Sequence, residues 1–116
     1  MVSPAYLVAI GGMIGAVLRH LVSEAITVED FPAGTLTVNV LGSFVLAVVT
    51  FGGADSATAL TIGTGACGAF TTFSSFSYDV VALWERDRRL AATGYALANV
   101  VGAVTVVVLV AAVLSG

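Results

Sequence analysis

Phe73 and Phe76 stand three residues apart, as do Thr72 and Ser75, so each pair shares a face if the segment is helical. An aromatic ring is electropositive at its edge. Phenylalanine edges on one face and Ser/Thr hydroxyls beside them can together solvate an anion, and that set suits one that is small and strongly hydrated. Two phenylalanines at this spacing also serve simply as packing, so the pair does not specify an ion by itself.

Asn39 lies in an apolar stretch, Thr37-Val38-Asn39-Val40-Leu41, with Ser43 one turn on. An amide among hydrocarbon is costly unless hydrogen-bonded. It reads either as a link between helices or, through its NH2 donors, as the lining of an ion path. Asn99, in a similar setting, reads first as an interhelical hydrogen bond. Arg19 closes the run Gly11-Gly12-Met13-Ile14-Gly15-Ala16-Val17-Leu18-Arg19. It reads as an arginine reaching for the interface, as a positive charge at the mouth of an anion path, or as an anchor for a neighbouring helix. His20 has no second ligand for a metal, and Asp79 falls near a membrane boundary or pore vestibule. The single cysteine, Cys67, excludes an internal disulfide and reads as a small apolar residue between helices.

The elements that position these groups follow from composition. In 116 residues, 59% are hydrophobic and 9% charged, where a soluble domain carries about a quarter charged. Mean hydropathy is +1.08. Lipid has to replace the missing polarity. All four cations are arginines and the formal charge is −3, which leaves no surface for nucleic acid. The N-terminus has no basic stretch of the kind a cleavable signal carries, so its apolar run is expected to remain as a membrane helix.

A crossing helix needs about 20 mainly apolar residues. Four segments offer this, at 5–22, 35–51, 57–83 and 90–114, separated by an acidic loop with Pro32, a Gly52-Gly53 turn and the arginine-rich loop 85–89. The expected fold is one all-α domain of four transmembrane helices. The third segment is the exception. It is long, and Gly63 to Ser77 is rich in glycine, hydroxyl and β-branched residues, poor helix formers. A break is expected between Gly68 and Thr72, buried against another helix, because irregular backbone at membrane depth survives only under protein or along a water-filled path. Carbonyls freed there suit a small cation.

Together the motifs resemble the Fluc/CrcB family of fluoride channels. The resemblance covers the whole chain and is carried by Gly11-Gly12 with Gly15 and Arg19, by Gly34-Thr35-Leu36 with Asn39 and Gly42-Ser43-Phe44, and most specifically by Gly68 with Thr71-Thr72-Phe73-Ser74-Ser75-Phe76-Ser77. It implies a multi-pass protein of the plasma membrane, working as an antiparallel dimer with two fluoride pores and a structural sodium ion at the interface. It further implies that Gly68 and Thr71 give backbone carbonyls to the sodium, that Phe73 and Phe76 are the pore phenylalanines, that Asn39 is the polar pore residue, and that Ser74 and Ser75 supply nearby hydroxyls. The family often has threonine at the place of Ser75 and glutamate at that of Asp79; both differences keep the chemical type.

Arg86, Arg88 and Arg89 lie in the third loop and Arg19 faces the same side, while the other side has no Lys or Arg. The positive-inside rule then gives one orientation, termini outside. The partner is either a second copy or an oppositely oriented paralogue, and the bias favours the paralogue. A small multidrug-type exporter needs a carboxylate within the membrane, which the first span lacks. A non-conducting accessory subunit would not need Phe73, Phe76 and Asn39, and no nucleophile, base and orienting group stand together for an enzyme.

Overall fold

The computed structural model describes residues 3–115, and these are helical with no strand; the only β-type pairing is an isolated bridge between Val28 and Phe31. Helix α1 (Pro4–Ala25) begins with proline in its first turn, where a missing N–H costs nothing. It runs past the expected end at Val22, so Glu24 belongs to the helix rather than to the loop. Pro32 then precedes α2 (Ala33–Phe51), which stops at Gly52, followed by Gly53 at φ +76°, a turn geometry natural to glycine.

The third hydrophobic segment is two helices. Asp55 opens the first, its carboxylate accepting the Thr58 N–H at 2.8 Å, and that bond holds the carboxyl below its usual range. From there α3 spans residues 56–70, with a central stretch, Ala59–Cys67, wound as a π-helix. Thr71 (ψ 157°) and Thr72 (φ −148°, ψ 115°) are extended, which ends α3 inside the expected interval. Thr72 then caps α4 (Phe73–Glu85), its hydroxyl accepting the Ser75 N–H at 3.0 Å. After Asp87, at φ 59°, α5 runs Arg89–Ser115.

Three helices, α1, α2 and α5, are each long and apolar enough to cross a membrane. Neither α3 nor α4 is: the 13 residues of α4 rise about 20 Å against a hydrocarbon core of about 30 Å. The molecule is 53 Å long, and large apolar side chains such as Leu90, Val113 and Tyr78 point outward. Such a surface is stable against lipid and not against water.

Inside, α1 lies against α3 through glycine. A Cβ on Gly11 would run into the Thr61 carbonyl, one on Gly15 into that of Ala66, and one on Gly65 would stand 2.7 Å from the Val8 carbonyl. Small residues here let two backbones touch. Across the molecule, α2 packs on α5 around Val38 and Tyr95, both fully buried, with Leu83 and Ala92 alongside. At one end the first and third loops meet: Arg86 Nη2 pairs with the Asp30 carboxylate at 3.2 Å, and Arg88 donates to the Asp30 carbonyl. This places those two loops on the same side, as the connectivity requires.

Candidate functional site

The break in the third segment is held by one side chain from α2. Asn39 accepts the Thr72 N–H on its Oδ1 at 2.8 Å and returns a bond from Nδ2 to the Thr72 carbonyl at 3.2 Å. An amide side chain so placed does what a neighbouring strand would do: it satisfies both polar groups of an extended peptide away from water. The second Nδ2 hydrogen goes to Asn99 Oδ1 on α5, at 2.9 Å. Asn99 in turn donates to the Tyr95 carbonyl one turn earlier, at 2.9 Å, and the Tyr95 hydroxyl donates to Asp79 on α4 at 3.0 Å. A polar thread therefore joins α2, the break, α5 and α4, with no buried side-chain nitrogen or oxygen unpaired among the described residues.

Beside the thread lies a cavity of about 420 Å³. Asn39, Ser43, Thr71, Thr72 and Asn99 give its polar lining, Phe73 and Phe76 its rings, and Leu46, Val100, Ala103 and Val104 its apolar wall. The Phe73 and Phe76 rings are tilted at 40° with centroids 5.7 Å apart, and Phe76 stacks on Tyr95 at 5.7 Å. Phe31 meets the same tyrosine edge-on at 88° and 5.5 Å. Tyr95 thus fixes the Phe76 ring from behind, whereas Phe73 is 79% exposed, with its outer side open.

The break also frees backbone oxygens. In a continuous helix the Gly68 carbonyl would accept from Thr72 N–H and the Thr71 carbonyl from Ser75 N–H. Here the first donor goes to Asn39 and the second to the Thr72 hydroxyl. Gly68 is also open, with nothing within 4 Å of where a Cβ would be. Two neutral oxygens without their helical donors are a donor set for a hard monovalent cation. No group of three or more His, Cys, Asp or Glu competes for a metal among the described residues.

Of the residues singled out from sequence, Asn39, Phe73, Phe76, Thr71 and Thr72 come together at the cavity. Ser74 and Ser75 sit on the exposed side of α4 and do not line it. Arg19 is half-buried on α1 and is likewise not among the lining residues. Asp79 is no free boundary carboxylate, since Tyr95 donates to it. Tyr95 is the member that sequence reading passed over. The signal was available: Tyr95 and Asn99 are four apart in a mostly apolar helix, so they share a face.

With this geometry in view, the comparisons with known proteins are specific. The family described as "CrcB-like protein, Camphor Resistance (CrcB)" matches residues 6–111, nearly the full length. The chain belongs to the CrcB family. A Halobacterium salinarum relative named "Fluoride-specific ion channel FluC 1" is 63% identical over 100 residues, covering 86% of this chain and 84% of its own. One from Haloarcula marismortui, "Fluoride-specific ion channel FluC 2", is 57% identical over 81 residues, covering 70% of this chain and 68% of its own. A relative from Mesorhizobium japonicum, "Fluoride-specific ion channel FluC", is 43% identical over 105 residues, covering 84% of this chain and 85% of its own. This CrcB-family chain is a multi-pass integral membrane protein.

Proposed function

We propose that the chain is a subunit of a fluoride-selective channel of the cell membrane that lets cytoplasmic fluoride leave passively and so limits its toxicity. The observation that carries the reading is the ring-and-amide cavity beside the broken segment, in a chain whose relatives carry the names of fluoride-specific channels. Fluoride is small and holds water tightly, so a path for it must replace hydration with donors and positive ring edges. Phe73, Phe76 and Asn39 stand at that path. No Gly-x-x-x-x-Gly-Lys nucleotide motif is present, and the spans' centres carry no Asp or Glu, which fits flow down a gradient.

In this reading α3 and α4 together make one crossing, giving four spans. Two subunits pair antiparallel, a reading supported by the exposure of Phe73, whose open side a partner would cover to complete the pore. A structural sodium ion takes the Gly68 and Thr71 carbonyls, whose helical donors are diverted. Bound there, it would tie the two breaks together without taking part in conduction. The arginine bias toward one face favours pairing with an oppositely oriented paralogue over pairing with a second copy. Equal labelling of tagged termini from both faces of the membrane would refute the paralogue.

The test is efflux from liposomes holding the purified chain, alone and with a paralogue, fluoride measured against chloride. Fluoride flux without chloride flux is expected, reduced by Phe73→Ile or Phe76→Ile in protein that still folds, and reduced when a large organic cation replaces sodium. Equal passage of both anions, or none in either arrangement, refutes the reading.

A further inference from the structure

A second cavity, of about 320 Å³, lies between α1, α2 and α3. Gly15, Gly42, Cys67 and Phe70 form its floor and are all buried, whereas Leu18 and Leu41 stand at its rim, 45% and 43% exposed. No lining side chain carries a nitrogen or an oxygen. Water is therefore a poor occupant, since a buried water needs two to four polar partners. The mouth also turns away from the cavity beside the break. Leu41 and Val45 line this one and follow Asn39 and Ser43, which line the other, by two residues, or about 200° around α2. On α1 the rim continues into a surface of exposed apolar side chains, among them Ile14, Val17 and Leu21. Gly42 is the middle residue of α2 (Ala33–Phe51), which sets the floor near the bilayer midplane, where lipid chains end.

We propose that this cavity is a binding site for the hydrocarbon tail of a membrane lipid, which enters between Leu18 and Leu41 and ends against Cys67 and Phe70. The inference rests on the chain's place in the membrane and not on the ion it carries. A hole of this size left empty would strip every lining side chain of packing contacts on one side, and the medium at its mouth is hydrocarbon. An apolar cavity of about 150 Å³ already admits a benzene-sized molecule. The larger space here takes a stretch of chain and not a whole lipid, so the headgroup stays at the interface and the site recognises the tail. The far wall is close to the break: a Cβ on Gly42 would run into Thr71 Cγ2 and stand 3.1 Å from Phe70 Cδ2. A tail seated on this floor therefore fills the gap behind the residues that lead into the break, on the side away from Asn39, and supports them without entering the other cavity.

The test places the full chain in phosphatidylcholine vesicles that include a phosphatidylcholine bearing a diazirine at the end of one acyl chain. After illumination, adducts are mapped by peptide mass spectrometry. Labelling of the buried floor, at Cys67 or Phe70, is expected beside labelling of the exposed α1 residues Ile14 and Val17. Val45→Phe adds a ring from a half-buried lining position and is expected to abolish the floor adducts while those on α1 remain. Adducts confined to exposed residues overturn the proposal, and this is the result expected if a side chain of a partner subunit fills the space instead. Floor adducts undiminished in folded Val45→Phe protein overturn it as well. Should that variant fail to fold, Leu41→Trp at the exposed rim obstructs the mouth and is read in the same way, and the labelling of the unaltered chain already decides whether a tail reaches the floor. A chain that proves to carry no fluoride leaves this site untouched.

Discussion

Two halves of the molecule solve the packing problem in opposite ways. Between α1 and α3, glycines bring backbone onto backbone and leave no room for a side chain at Gly11, Gly15 or Gly65. Between α2, α4 and α5 the contact is made by amides and rings, and a cavity remains. Close packing is a source of rigidity, and the chain has it where α1 meets α3. The open side is held by directional bonds, which fix positions without filling space. A path needs both: a wall that does not move and a gap whose lining is oriented in advance.

Substitutions that cross this division should differ in kind. The largest effect belongs to Gly15→Leu, which places a branched side chain where the Ala66 carbonyl already lies. Backbone cannot step aside cheaply, and a loss of about 3 kcal/mol or more is expected. The readout is the yield of monodisperse protein and its thermal unfolding. Preserved stability would show that the glycine contact is not the rigid half.

Next comes Asn39→Ala, which leaves the Thr72 N–H without a partner and removes one of the bonds to the Thr72 carbonyl, which as the cap of α4 still accepts the first helical N–H. The orphaned N–H costs about 1–3 kcal/mol. The expected outcome is measurable destabilisation with flux lost outright, because the break and the Asn99 amide lose their common support. Hydrogen exchange at the Thr72 amide, faster than in the unaltered chain, would report the release directly.

The smallest effect is expected at the loop contact. Arg86 and Asp30 are both more than half exposed, at 55% and 61%. Exposed pairs contribute about 0–1 kcal/mol and weaken in salt. Arg86→Ala should leave both melting temperature and fluoride flux close to those of the unaltered chain, and a large change in either would place function at the loops rather than at the break.

How much of this was open to sequence reading depends on whether the cause was local. The break was legible because glycines and β-branched or hydroxyl residues disfavour a helix wherever they stand, and it falls at Thr71 and Thr72. Phe73, Phe76 and Asn39 were legible as candidates by residue type and spacing. That Asn39 fastens Thr72 was not, since the two are 33 residues apart and meet only through the rotation of α2 against α4. The same holds for Asp30 with Arg86, and for the absence of Arg19, Ser74 and Ser75 from the cavity lining, because a helical residue's type does not tell which neighbour its face will meet. The π-helical winding of Ala59–Cys67 left no pattern distinct from other glycine-rich apolar runs.

The central claim is that fluoride passes through the space beside the break, and the most direct measurement fills that space. Ala103 lines the cavity from α5 and makes no side-chain hydrogen bond, so Ala103→Phe adds volume without cutting the polar thread. Purified protein that elutes like the unaltered chain should lose fluoride efflux from liposomes, with Ala103→Leu intermediate between the two. Efflux at the unaltered rate through folded Ala103→Phe protein would contradict the account.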